Sequence, residues 1–268
     1  MRKIPTLSVI LDDFIFRFTE YIFKIVKYRV IFKYYKNIMY TAVLVEPRKH
    51  KALDIVLSNF NRNLNEHWTF LIYHSALNES FMIDLLQKHK MYSRCKRVIL
   101  EKNNLSINEY NELLYSEKFY EPIETDMFLI FQTDALISNT YKEYVYKFLH
   151  YDYVGAPWKA TNQVGNGGLS LRKKSKMLEL LKKGGYKKAN GEYYYEDKFF
   201  TNTIPNNIVF ELNLPNVEEA KQFSVETLFS DKSFGLHKPW DYLTTKELDA
   251  LSLHFPELKE LIALHRSL

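Results

Sequence analysis

Asp126-Met127-Phe128-Leu129-Ile130-Phe131-Gln132-Thr133-Asp134 is a continuous apolar run that stops abruptly in polar residues. Met127 to Phe131 has the length and the β-branched and aromatic content of a strand buried on both faces, as in the middle of a parallel sheet covered by helices. In open α/β sheets, ligands bind in the crevice beyond the carboxyl ends of the strands. A carboxylate one step past this strand, Asp134, is therefore aimed at a ligand.

Upstream, apolar runs alternate with helical patterns. Tyr40 to Val45 reads as a strand ending in Glu46-Pro47-Arg48, and a helix follows through Ala52 to Phe60. Trp68 to Tyr73 and Val98 to Leu100 read as further strands, separated by a helix over 80–89. A helix over 104–121 starts at Ser106, with Glu109 three residues on to close a capping box. This alternation predicts a right-handed, doubly wound sheet of the Rossmann type. No Gly-X-Gly-X-X-Gly follows the first strand and no Gly-Lys-Ser/Thr loop occurs, which removes the dinucleotide dehydrogenase and P-loop readings.

Downstream, Tyr141 to Leu149 reads as a helix and Tyr151 to Pro157 as a strand. Four of the eight glycines fall between Gly155 and Gly168. Such clustering argues for positive φ or for close backbone approach to a neighbour. Lys174 to Lys183 is a helix stopped by Gly184-Gly185. Glu192 to Phe200 leads into another helix, and 223–226 and 234–240 are strand and loop before a helical tail.

The composition sets bounds. The 37 basic residues are nearly balanced by 32 acidic ones, for a net charge of +5, so no dedicated nucleic-acid surface is implied. A single cysteine, Cys95, excludes an internal disulfide framework and cysteine-rich zinc sites, and fits a reducing, cytoplasmic setting.

Residues 1–39 stand apart as an amphipathic helical segment. Arg17, Lys24, Lys27 and Arg29 interrupt the apolar residues, so no run approaches the ~20 residues of a spanning helix. Two readings stay open: helices packed on the main domain, or a basic aromatic helix in peripheral contact with an anionic membrane. Residues 40–268 form the second unit.

Four pieces carry chemistry: Asp134; the loop Gly165-Asn166-Gly167-Gly168; the acidic pair Glu196-Asp197; and His237-Lys238, an imidazole beside a cation suited to phosphate. Together with their neighbours they resemble glycosyltransferases of the glycosyltransferase-A fold. The resemblance is to a family, assigned largely from sequence, that shares Val-Glu-X-Arg (45–48), Phe-Gln-Thr-Asp (131–134), Tyr-Asp-Tyr-Val-Gly-Ala-Pro-Trp (151–158), Gly-Asn-Gly-Gly-Leu-Ser-Leu-Arg (165–172), Glu-Asp-X-Phe-Phe (196–200) and Phe-Gly-X-His-Lys-Pro-Trp (234–240). It covers most of the chain beyond residue 39. The fold implied is α/β, with a mostly parallel central sheet and flanking helices.

The resemblance implies a nucleotide-sugar donor, UDP-linked, and an acceptor hydroxyl on a glycan, lipid or protein. A divalent cation, Mn²⁺ or Mg²⁺, would be held by Asp134 and His237 and would neutralise the departing diphosphate. Val45, Glu46 and Arg48 would meet the base or ribose, unless Glu46 and Arg48 are only an ion pair. Gln132 and Thr133 stand in the Asp-X-Asp position of such enzymes. Gln132 replaces the first carboxylate, which weakens the hold on a cation or frees the amide for the ribose. Lys238 would contact phosphate.

An inverting transfer needs a base for the acceptor hydroxyl. Asp197 fills that place, with Glu196 as substitute or orienting group; the pair would otherwise serve as favourable charge at a helix N-terminus. Trp158, Asn166, Gly167 and Gly168 are expected at the floor where sugar and acceptor meet, and Trp240 in the core. The expected activity is inverting glycosyl transfer. The alternatives are a retaining transferase, since the Lys-Pro-Trp signature is similar to that of glycogenin-type enzymes, and a nucleotide- or glycan-binding protein without turnover.

Overall fold

The computed structural model describes residues 39–204 and 210–267. The expected amphipathic segment over 1–39 lies, apart from Met39, outside the described residues. In the unit that begins at Tyr40, four parallel strands come first: β1 (Tyr40–Val45), β2 (Trp68–Ser75), β3 (Cys95–Leu100) and β4 (Met127–Phe131). Helices α1 (Leu53–Asn63), α2 (Glu79–Lys88), α3 (Ile107–Leu114) and α4 (Glu117–Tyr120) make the crossovers. Strands β5 (Ala135–Ile137), β6 (Tyr153–Gly155), β7 (Pro157–Trp158), β8 (Gln163–Val164) and β9 (Leu169–Lys173) follow, then α5 (Lys174–Lys183) and α6 (Glu196–Phe200). The chain continues through α7 (Val217–Phe223), β10 (Ser224–Val225), β11 (Gly235–His237), α8 (Thr245–Ser252) and α9 (Leu258–Arg266). Among the described residues no helix is long and apolar enough to cross a membrane.

The central sheet has the order β3-β2-β1-β4-β9-β6. Its first four strands are parallel, and β9 returns antiparallel between β4 and β6. The continuous apolar run of β4 is explained by its place in the middle. Phe128 and Ile130 face one core with Val43, Leu71 and Phe199, while Leu129 and Phe131 face the other with Leu44, Phe60 and Phe70. With both faces covered, every position of the strand must be apolar. Phe60 on α1 stacks on Phe131 at 3.9 Å between ring centroids.

Two helices differ from the pattern-based expectation. The segment 104–121 is broken into α3 and α4 because Ser116 is extended and accepts Phe119 N–H, starting a new turn. Ser106 and Glu109 do form the capping box of α3. The helix expected over 141–149 is a 3₁₀ turn, Lys142–Phe148.

Antiparallel β9 fixes where the site lies. Phe131 pairs with Leu169, so the start of β9 and the end of β4 meet at the same edge of the sheet. A three-stranded sheet, β10-β11-β5, adds a second clamp there, with His237 opposite Ala135 and Lys238 N–H donating to Asp134 O at 3.0 Å. The chain segments after β1 and β4, before β9 and after β11 thus converge.

The short strand β5 is tied to α1 by two buried side chains, Asn59 and, more loosely, Asn63, whose Nδ2 lies 3.4 Å from Ile137 O. Asn59 Nδ2 donates to Ile137 O at 3.1 Å and its Oδ1 accepts Ile137 N–H at 2.7 Å. Buried backbone groups without partners cost about 1–3 kcal/mol each. Asn59→Ala should therefore lower the unfolding free energy by roughly 2–4 kcal/mol, read from the denaturant midpoint of the intact chain.

Candidate active site

The converging segments enclose a cavity of about 510 Å³. It is lined by every residue expected from the sequence to bind or react except Trp158. Trp158 lies on β7, paired with β8, and its carbonyl accepts Asn162 N–H at 2.9 Å. It does not line the cavity. Trp240 is half-buried against the core and packs on the His265 ring at 5.3 Å.

One end of the cavity is built on Arg172, the last residue of the Gly-Gly-Leu-Ser-Leu-Arg stretch. Its guanidinium is fully buried, lies over the Tyr153 ring at 4.7 Å and makes a two-pronged ion pair with Glu196, Nη1 to Oε2 at 2.5 Å and Nη2 to Oε1 at 2.9 Å. Nε donates to Ser170 Oγ at 2.8 Å. Glu196 N–H in turn donates to Asn111 Oδ1 on α3 at 2.9 Å. Glu196 is thus committed to Arg172 and is not a free base.

Asp197, the next residue, is different. Its carboxylate accepts only backbone N–H groups, from Gly167 at 3.2 Å and Lys198 at 2.8 Å, and it faces the cavity. Burial and the neighbouring Glu196 charge raise its pKa to about 7, against the opposing pull of Arg172 and the two N–H donors. A carboxyl poised near neutral pH is suited to exchanging a proton with a ligand.

At the other end stands His237. Its Nδ1 lies 3.1 Å from Glu226 Oε1, and its Nε2 lies 3.1 Å from Asp134 Oδ1 and 3.3 Å from Gln132 Oε1. Burial disfavours a charged ring, but the Asp134 and Glu226 carboxylates outweigh it and push the pKa to about 10. The same pairing overcomes burial at Asp134 and lowers its pKa to about 2. Although close to the imidazole, Asp134 Oδ1 is buried with no aligned hydrogen-bond donor. Among the described residues no group of three or more His, Cys, Asp or Glu is placed to hold a metal. The oxygen donors at hand are Asp134 Oδ1 and the amide oxygen of Gln132, and His237 Nε2 joins them only once the ring has given up its proton. Glu226 on the far nitrogen would orient the ring.

The glycine loop joins the two ends. Gly168 N–H donates to Asn166 Oδ1 at 2.9 Å, and Asn166 Nδ2 donates to Glu226 Oε1 at 2.9 Å. A Cβ on Gly168 would overlap the His237 ring, and one on Gly167 would lie 2.5 Å from Glu196 Oε1. Both glycines are there for space. Only Gly165 of this loop needs its positive φ, +136°.

Positive charge is placed at the rim. Lys238 has φ 46° and ψ 42°, a left-handed conformation made costlier by the following Pro239. Its Nζ pairs with Asp241 at 2.9 Å. Arg48 is held on the buried Glu46 through Nε to Oε1 and Nη2 to Oε2, both 2.8 Å. The pair forms one lip of the cavity beside Val45, with Asn78 Nδ2 donating to both backbone carbonyls. Thr133 is tied by its carbonyl to His265 Nε2 at 3.0 Å.

Sequence reasoning missed Arg172, Glu226, Tyr110, Tyr195, His50 and His265. Arg172 closes a quoted block, and an arginine at the end of an alternating strand was a usable signal. Glu226 and His265 gave none, because their partners lie far away in the chain.

Residues 94–237, more than half of the 268, match a family described as "Protein of unknown function (DUF5672)". The chain belongs to this family. The DUF5672 match spans Asp134, the glycine loop, Asp197 and Glu226, ends at His237, and leaves Glu46, Arg48 and Lys238 outside. Comparison with curated proteins finds no match. Among solved structures, the chain is similar to the apo-form glycosyltransferase GlyE of Streptococcus pneumoniae TIGR4, with a TM-score of 0.49 and 12% identity over 78% of this chain and 56% of that one. It is similar to the inositol-1-phosphate CTP transferase of T. maritima at 0.45 and 12% over 80% and 95%. A third is the mannosyltransferase PcManGT of Pyrobaculum calidifontis, in complex with GDP-Man and Mn²⁺, at 0.41 and 12% over 53% and 46%. At these scores the likenesses decide nothing about the chemistry of the DUF5672 site.

Two stability measurements probe the site directly. A carboxyl whose folded pKa is raised above its unfolded value near 3.9 costs stability as pH rises from about 4 to about 7. Asp197→Asn should therefore stabilise the protein at pH 8 by roughly 1–3 kcal/mol, a gain that closes below pH ~4 in pH-resolved thermal melts. Lys238→Gly removes the left-handed strain and should stabilise the fold by about 1 kcal/mol while weakening phosphate-bearing ligands, read by melting and titration calorimetry.

Proposed function

We propose that this protein is a glycosyltransferase of the glycosyltransferase-A type that moves a sugar from a UDP-linked donor to an acceptor hydroxyl with inversion. The observation that carries this reading is Asp197: a cavity-facing carboxylate, poised near neutral pH, in the same cavity as a second, separate carboxylate–imidazole group.

In this reading Lys238, on the cavity rim, meets the diphosphate as a compact cation. Asp197 accepts the proton of the acceptor hydroxyl as its oxygen attacks the anomeric carbon. The bond from that carbon to the diphosphate oxygen breaks, its electron pair leaves with UDP, and the proton stays on Asp197. The N–H groups of Gly167 and Lys198 hold the carboxylate in place and keep it from turning toward Arg172. Asp134 and His237, with the amide of Gln132, would hold a divalent cation such as Mn²⁺, which supplies positive charge against the diphosphate. With only one carboxylate in that set, the cation would be held weakly.

The test is nucleoside diphosphate release from a panel of UDP-sugars by the intact chain, with and without Mn²⁺. One donor should be consumed, with product of inverted configuration and kcat/KM rising with pH through a limb near 7. Asp197→Asn should lose about 10²–10⁴-fold, and Asp134→Ala should lose the stimulation by Mn²⁺. No release from any donor, together with no thermal shift by UDP and Mn²⁺, would sink the reading; product of retained configuration would remove Asp197 as base.

A further inference from the structure

The cavity is polar at depth and apolar at its mouth. Two strongly exposed apolar side chains line it, Tyr195 at 54% and Ile107 at 65% of full exposure. Neither sits on a loose loop. Ile107 opens α3, directly after the cap residue Ser106. Tyr195 is bracketed by two bonds to the same helix region: Tyr115 Oη donates to Tyr194 O at 3.1 Å, and Glu196 N–H donates to Asn111 Oδ1 at 2.9 Å. Its own carbonyl accepts Phe199 N–H at 3.1 Å. The backbone beneath the ring is fixed while the ring stays in water. Its recorded neighbour is the exposed Lys198 ammonium, 5.5 Å from the ring centroid.

An exposed aromatic on a fixed mount at a cavity mouth forgoes the burial that its area would provide. Position then decides what could cover it. Tyr195 and Asp197 are separated by one residue, and consecutive Cα atoms are ~3.8 Å apart. Both side chains line the same cavity, so a ligand that brings a hydroxyl to the Asp197 carboxylate shares that cavity with the Tyr195 ring. A pyranose suits that position: one face is a sheet of C–H groups that can lie on an aromatic ring, and its rim is hydroxyls. A serine or threonine side chain brings the hydroxyl without the apolar face. A simple alkyl alcohol brings apolar surface without a polar rim for a cavity whose lining is largely polar.

We propose that Tyr195, flanked by Ile107, is the stacking platform for a carbohydrate acceptor whose hydroxyl is presented to Asp197. The assignment rests on the transferase reading for the role of Asp197, and it gives the acceptor a chemical class. It also puts the aromatic contact with sugar on Tyr195, where the sequence alone had pointed to Trp158.

The experiment is saturation-transfer NMR on the full chain with UDP present, using methyl glycosides of glucose, galactose, mannose and N-acetylglucosamine as probes. Saturating the aromatic protons should transfer signal to ring C–H protons of at least one glycoside. Tyr195→Ala should weaken that glycoside's binding by about tenfold, the scale of an aromatic contact, and Tyr195→Phe should keep it. Circular dichroism checks that both variants are folded. The assignment is overturned if none of the glycosides binds, if Tyr195→Ala binds them as the parent does, or if that variant loses UDP instead, which would give the ring to the nucleobase. It is equally overturned if a donor is turned over onto serine peptides or alkyl alcohols and onto no glycoside. Glycoside binding through Tyr195 with no turnover of any nucleotide sugar would sink the transferase reading and leave the carbohydrate site standing.

Discussion

A guanidinium with no exposed surface cannot stand alone in a folded protein, because removing one partner of such a pair costs about 3–5 kcal/mol. Arg172 therefore dictates much of the site. It sits on β9, its carboxylate partner Glu196 sits on α6, and the ion pair fixes where α6 begins relative to the sheet. Asp197 follows Glu196 directly in the chain, and its carboxylate accepts Gly167 N–H. The glycine at 167 follows from the same pair, since a side chain there would meet Glu196 Oε1 and Arg172 Nη2. Residues that read as separate motifs are consequences of one buried charge.

The two ends of the cavity are also mechanically one. Asp197 holds Gly167 N–H; the next residue back, Asn166, accepts Gly168 N–H and donates to Glu226; Glu226 holds the Nδ1 side of His237; and His237 meets Asp134. Each contact is an ordinary hydrogen bond or ion pair, worth little singly. As a chain they leave few independent ways for the loop to move. A shift of Asn166 would release the positioning carboxylate of the imidazole and the backbone clasp on Asp197 together.

How much of this was legible beforehand depended on distance along the chain. Patterns confined to one element read well: the apolar run of β4, the polar residues placed at the ends of β1 and β4, and the Ser106–Glu109 box. The central sheet and the gathering of Asp134, Asn166, Asp197 and His237 followed from strand ends. What failed needed partners. Glu196 read as a substitute base or an orienting group beside Asp197, and its pairing with Arg172, 24 residues away in sequence, was not visible. Trp158 was expected at the floor from the block it shares with the resembling family, yet it sits on the β7–β8 hairpin and does not line the cavity. The 104–121 helix broke at a serine whose extended conformation no periodicity encodes. Glu226 carries no spacing signal, because its meaning comes entirely from His237 and Asn166.

Gln132 is the residue where local and global requirements meet. Around the His237 ring there are already two carboxylates, Asp134 on one nitrogen and Glu226 on the other, and an oxygen of each is buried without a hydrogen-bond partner. A third carboxylate at position 132, within 3.3 Å of Nε2, would set like charges side by side in a site with little water. An amide keeps the oxygen and drops the charge. It leaves one imidazolium against two carboxylates, a smaller excess of buried negative charge than a third carboxylate would make. The same economy limits how strongly a cation can compete for the pocket. A site designed to hold a divalent ion permanently would spend more carboxylates on it. In the proposed reaction, a cation held by so few carboxylates would share the charge of the diphosphate.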